Sequence, residues 1–355
     1  PARTVSAHEM SSHGEGGQAL SRARFEGGVV FQEKGAGTER TARSGALDVG
    51  VSAGLGSLDD ARFTRGVRFE DGRMMAEAPT ATYLVSKSSL SLRRGVPTDP
   101  VPRLKNDRIA VGAEEIDVVL DGPMIEARRA VKSELVGAAP GSGGGAAPGS
   151  SPATKVPSML RADKPVSISA ELLTYDGKGS AATYRGGAQL WQGDTTIRAA
   201  EIALDEKTGD LTAAGSVATS FALRTAPAAS APSAAAEPAL PAPSTASAEQ
   251  LRYEEGSRRA TYTGQARLNG DQGDLSAKTI EVYLKPSGDE LDRLEAYENV
   301  ALRDRGRRTT GQRLTYTPTD ERYLVTGSPV TIVDECARET VGRTLIFNRT
   351  RDTLS

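Results

Sequence analysis

Cysteine is nearly missing from this 355-residue chain: Cys336 stands alone, so no intrachain disulfide can form and the redox character of the compartment is not revealed. We read Cys336 as an incidental strand residue. Histidine is almost as scarce. His8 and His13 are the only two, both near the start, and neither has cysteine or acidic neighbours at metal-ligand spacing. No run approaches the roughly 20 apolar residues of a membrane-spanning helix. No signal peptide opens the chain, which begins at Pro1 without an initiator methionine, and we expect a segment upstream of it, either a cleaved signal or a membrane tether.

A dominant charge is lacking too. There are 44 basic and 46 acidic residues, a net charge of −2, with no long run of one sign. Phosphate recognition needs a concentrated basic face, so nucleic acid is not an expected partner. The glycines between 141 and 145 lack the Gly-Lys-Ser/Thr ending of a phosphate loop. Acidic residues fall in turns or on polar faces and no paired carboxylates recur at one level, so neither catalysis nor a cofactor is implied. Only 37% of the chain is hydrophobic and 5% aromatic, which is lean for a compact globule and tolerable for stacked sheets.

What is present is a repeat. One motif, a small residue before Val or Ala in a period-2 apolar run, recurs at Val29, Val67, Val96, Val131, Ala188, Val217, Ala266, Val300 and Val330. A second, a small residue with apolar residues three and five places later, recurs at Ser44, Ala78, Ala113, Ala170, Ala199, Ala248, Ala277, Gly311 and Gly342. The two alternate with a period of roughly 30 residues, the signature of stacked supersecondary units. Helical periodicity is nearly absent. The best candidate, Glu290 to Glu298, reads as well as a strand.

Along a strand, residues two apart share a face, so Tyr184, Gly186, Ala188 and Leu190 line one side while Arg185, Gln189 and Trp191 line the other. The second motif breaks alternation with its step of three, as from Ala199 to Ile202 and from Ala277 to Ile280, which implies a bulge or bend. The fold class expected is all-β: stacked β-hairpin repeats forming an open β-jellyroll, V-shaped, with two facing sheets whose inner faces are apolar. Residues 1 to 17 are expected to be a disordered lead-in, 18 to 136 a first set of repeats, 137 to 164 a Gly/Pro/Ala-rich linker, and 165 to 355 a second set with a low-complexity insertion at 225 to 247.

Ala170-Glu-Leu-Leu-Thr-Tyr-Asp176, Tyr184-Arg-Gly-Gly-Ala188, the run from Ile197 to Val217, and Gly311-Gln-Arg-Leu-Thr-Tyr316 with Tyr323 to Val330 resemble the OstA-like repeats of periplasmic lipopolysaccharide-transport proteins. The resemblance is specific for 165 to 355, which is similar to the LptA-like jellyroll. Over 18 to 136 it is compatible with an LptC-like module and with further repeats of the same kind.

The resemblance implies a periplasmic lipid carrier or bridge. Its groove would shield lipopolysaccharide acyl chains, with edge-strand stacking onto other OstA-like jellyrolls or head-to-tail onto itself. Parity then nominates the groove lining: Ile168, Leu173, Tyr184, Leu190, Ile197, Ile202, Leu204, Leu268, Ile280, Val282, Val300, Leu302, Leu314 and Ile332. Core packing without a ligand accounts for each of these positions equally well. The competing function is a structural β-solenoid that assembles through its edges without lipid.

Overall fold

A computed structural model describes residues 2–13, 22–35, 37–51, 58–122, 124–135, 155–161, 163–222, 243–270, 273–348 and 353–354. The chain forms two compact units: residues 1–136 with 167–186, and residues 137–166 with 187–355. The division falls inside a strand, between Gly186 and Gly187, and so differs from the expected break in the Gly/Pro/Ala-rich segment.

The first unit carries β1 (Ala2–Ser6), β2 (Glu9–His13), β3 (Arg22–Gly35), β4 (Thr38–Val51), β5 (Leu58–Thr64), β6 (Val67–Asp71) and β7 (Met74–Ala78). It continues with β8 (Thr80–Leu84), β9 (Ser89–Arg93), β10 (Arg103–Lys105), β11 (Ile109–Gly112), β12 (Glu115–Val119), β13 (Met124–Leu135), most of β14 (Val166–Asp176) and the first half of β15 (Ala181–Gln192). Among the described residues its strand pairings are antiparallel. From β4 the ladder divides: one arm runs through β5, β8, β9 and β12, the other through β6, β7, β10 and β11, and both arms rejoin on β13. The unit therefore has two half-sheets bounded by long strands that belong to both. Across them, Phe69 of β6 meets Tyr83 of β8 at 5.9 Å between ring centroids.

The second unit carries the rest of β15, then β16 (Thr195–Asp205), β17 (Leu211–Phe221), β18 (Ser244–Glu254), β19 (Arg259–Gly270), β20 (Gly273–Leu284), β21 (Leu291–Asp304), β22 (Arg307–Thr317), β23 (Arg322–Val333), β24 (Glu339–Asn348) and β25 (Thr353–Leu354). From β16 onward each strand pairs antiparallel with the next. Here too each long strand up to β23 is bent at its middle, where the register shifts.

The bend has a local cause on both strand types. Strands with the second motif switch the buried parity, from Ala199 to Ile202 and from Ala277 to Ile280. Their partners instead place two successive residues in the left-handed region: Gly186 and Gly187 at φ 81° and 68°, Gly215 and Ser216 at 83° and 54°, Glu298 and Asn299 at 59° and 56°. An inserted left-handed residue lengthens one strand against its neighbour and turns the ladder, which glycine does without steric cost. At Gly186 the requirement is double, because a Cβ there would stand 2.7 Å from the Glu171 Cβ.

Several expectations are corrected. The lead-in is not disordered over its described part: β1 and β2 both pair with β3, and His8 N donates to Gly27 O at 3.1 Å. Its polar residues hid an edge-strand role that needs only backbone groups. Val96 is 54% exposed in the loop after β9, because Pro97 and Pro100 remove the donors a ladder requires. Cys336 lies in the turn after β23, where its N–H donates to Asp334.

The linker and the insertion also differ from the reading. Residues 137–154 and 223–242 lie outside the described residues. However, Lys155 N donates to Glu206 O, Leu160 is 3% exposed, and Ser244–Ser247 belong to β18. Leu291–Glu298 falls on strand β21, in keeping with the strand reading of that stretch.

Candidate functional site

The interior of the second unit is two facing ladders, one continuous from β16 to β23 and the other from β16 to β24. On one half-sheet Ile197, Thr219, Ala246, Leu268, Leu275, Leu302, Thr309 and Ile332 stand opposite one another strand after strand. On the other, Ile202, Ala213, Leu251, Tyr262, Ile280, Ala296, Leu314, Val325 and Leu345 form one row. Leu204, Leu211, Tyr253, Ala260, Val282, Leu294, Tyr316, Tyr323 and Phe347 lie one step farther out, and the last three stack as rings 4.4 and 4.6 Å apart. Each fully buried Leu or Ile contributes about 1.5–3 kcal/mol relative to exposure, so the ladders hold the unit together.

All the lining residues expected from parity point into an interior. Ile168, Leu173 and Tyr184 lie in the first unit and the remainder in the second. Ile332, at 7%, is the most exposed of them. The expected set is therefore divided between the two units, and all its members are buried. A cavity of about 20 Å³ lies among Leu302, Thr309, Ile332 and Phe347, with Arg305 and Arg307 beside it. That is room for a single water, far short of an acyl chain.

What parity missed is how the facing half-sheets are joined. Tyr262 and Thr219 lie on opposite half-sheets, and their hydroxyls are 3.0 Å apart. Thr219 also donates to Ala246 O at 3.3 Å. Burial pushes the Tyr262 phenol up to about 12, so it stays protonated and able to donate. The first unit has the same device: Tyr184 Oη and Ser133 Oγ are 2.7 Å apart. Both tyrosines open a Tyr-x-Gly-x-Ala run, and each partner hydroxyl sits two residues past the valine of an earlier copy, Val131 or Val217. That coincidence was a readable signal.

The first unit adds a polar plug. Arg40, 5% exposed, donates to Tyr83 Oη at 2.8 Å, to Asp71 at 3.0 Å and to Asp121 at 2.6 Å. Tyr83 in turn donates to Glu33 at 2.7 Å, and Arg3 from β1 reaches the same carboxylate at 2.7 Å. Burial, with the Glu33 hydrogen bond added, pushes Tyr83 up to about 12. Burial also pushes Glu33 up, but hydrogen bonds from Tyr83 and Arg3 and the charges of Arg3 and Arg40 outweigh it and hold its carboxyl below the ordinary value.

Trp191 is 37% exposed on the outer face, as parity requires. Among the described residues no group of three His, Cys, Asp or Glu is arranged to hold a metal ion, and no helix is long and apolar enough to cross a membrane.

Facing half-sheets built from bent, repeated hairpins define a β-jellyroll class of fold. Residues 245–353, all in the second unit, match the family described as LptA/(LptD N-terminal domain) LPS transport protein, and over this segment the chain is OstA-like. A comparison with curated protein sequences finds no significant match. Among solved structures, the chain is similar to LptH, the LptA homologous periplasmic component of the conserved lipopolysaccharide transport device from Pseudomonas aeruginosa. The identity is 15%, over 36% of this chain and 83% of that one, with a TM-score of 0.29, too low to support a structural argument.

Proposed function

We propose that the protein is a periplasmic carrier of lipopolysaccharide, and that its jellyroll interior takes up acyl chains when the facing half-sheets part. The observation that carries this reading is the pair of largely apolar ladders, one running from β16 to β23 and the other from β16 to β24, of which the part from β18 onward falls in the segment that matches the transport family. An acyl chain would replace side-chain contacts with equivalent apolar ones. Each buried methylene contributes about 0.8 kcal/mol, so the exchange is near balance and reversible, as a conduit needs.

The end of the ladder supports a chain of such modules. Residues 339–344 of β24 are exposed, Val341 at 61%, and among the described residues β25 pairs with Phe347 and Asn348 alone. The free backbone edge is suited to strand addition by another jellyroll or a second copy.

A photo-crosslinking residue in place of Leu204 tests the reading: the account expects an adduct carrying lipopolysaccharide. The filled interior favours one competitor, a cargo-free scaffold that assembles through its edges, and that reading expects no adduct.

A further inference from the structure

The two outer surfaces of the second unit are unlike. Outside the half-sheet that carries Tyr262, charges satisfy one another. Arg259 pairs with Glu254 and Glu281, and Arg293 and Arg313 both reach Glu295. Tyr297 donates to Glu281 at 3.2 Å and also to Glu295 at 2.5 Å, and Arg293 covers the Tyr283 ring at 4.0 Å. A charged ligand that contacts these groups must first break a pair.

Outside the other half-sheet, the side chains of Arg198 and Arg267 are exposed and, among the described residues, make no hydrogen bond or ion pair. They stand on one register line, Arg198 opposite Ala218, Ala218 opposite Ser247, and Ser247 opposite Arg267. The two guanidinium groups thus flank a floor of small side chains. The next line supplies Thr196, Ser220, Thr245 and Asn269. Together they line a trough of about 310 Å³ with no carboxylate among its described lining residues. Asp274, opposite Asn269, lines a separate depression with Arg303 and Arg308 instead.

We propose that this trough binds a short saccharide with an anionic group at each end. The arginines are three strand spacings apart, about 14 Å between backbones, a span suited to a disaccharide lying across the strands. A guanidinium presents a fixed fork of donors that matches phosphate or carboxylate. Hydroxyls and an amide between the forks offer both donors and acceptors, which is what sugar hydroxyls require. The volume is at the lower end of small-ligand sites. A flat membrane surface would not need the concavity, and a neutral sugar would not need the arginines. The same chemistry is carried by a free sugar and by the head of a glycolipid.

Calorimetric titration of the full chain with a bisphosphorylated disaccharide lacking acyl chains tests this. One-to-one binding is expected, about tenfold weaker in Arg198→Ala and in Arg267→Ala, and at least that much weaker for the unphosphorylated disaccharide and for inorganic phosphate. Competition by a dispersed glycolipid with the same head would assign the site to a lipid head, and its absence would assign it to a free sugar. No binding, binding untouched by both substitutions, or equal competition by sugar-free anionic phospholipid vesicles overturns the proposal. The site does not depend on acyl chains entering the interior, and crosslinking from Leu204 reads that question separately.

Discussion

The hydroxyls of Tyr262 and Thr219, from opposite half-sheets of the second unit, meet at 3.0 Å in a space otherwise walled by aliphatic side chains. This hydrogen bond fixes the separation of the half-sheets. Once it is broken, only non-directional apolar contact holds them together at that level, so it is the natural place for the interior to open.

Removing the hydroxyl without changing the ring isolates that role. Tyr262→Phe should lower stability by about 1 kcal/mol, since Thr219 keeps its bond to Ala246 O. Urea unfolding should show a lower midpoint with an unchanged slope. An unchanged midpoint would mean that the bond contributes nothing net.

The bends allow a paired comparison. Gly187 at φ 68° has open space where a Cβ would go, so Gly187→Ala should cost only the left-handed penalty of about 1–2 kcal/mol. Gly186→Ala adds a clash with Glu171 and should cost clearly more. Thermal unfolding of the two variants checks the order, and equal losses would contradict the bend geometry.

Acid should weaken the first unit through its plug. Glu33 has a folded value held below its ordinary 4.5, so its contribution is complete above that value and disappears as pH falls through the lower, folded one. Asp117, lowered from 3.8 by Ser91, Arg93 and Arg128 against its own burial, acts in the same direction. Glu33→Gln should lose about 1–3 kcal/mol at neutral pH and show a shallower decline below roughly pH 4.5. Chemical unfolding at pH 7 and pH 3.5 measures both. A variant that keeps the full acid dependence would remove Glu33 from the account.

Leu314, fully buried in the Tyr262 ladder, distinguishes packing from a loose lining. Leu314→Ala should cost about 2–5 kcal/mol if the closed interior is packed as a core. A loss below 1 kcal/mol would indicate that the half-sheets already separate in solution.

Much of this architecture was legible in the chain. The period-2 face placed Ile202, Leu268 and Leu302 inward, and the step of three located the bends at Ala199 and Ala277. Other features were hidden because they depend on backbone geometry or on distant partners. Glu298 and Asn299 take the left-handed pair that glycines take elsewhere, so composition alone does not mark that bend. Val96 kept the repeat spacing, yet nearby prolines exclude it from a ladder. Ala2–Ser6 is polar and reads as a tail until β3 supplies an edge for it. The Tyr184–Ser133 and Tyr262–Thr219 pairs join residues 51 and 43 positions apart, a relation that parity along a single strand does not reach.

The central claim is that the interior between the ladders receives acyl chains. Photo-crosslinking from Ile280, which is 1% exposed, against Lys278 on the outer surface of the same strand tests it most directly, in cells exporting lipopolysaccharide. The account predicts a lipopolysaccharide adduct from Ile280, more of it in Tyr262→Phe, and none from Lys278. An adduct from Lys278 alone, or from neither position, would contradict it.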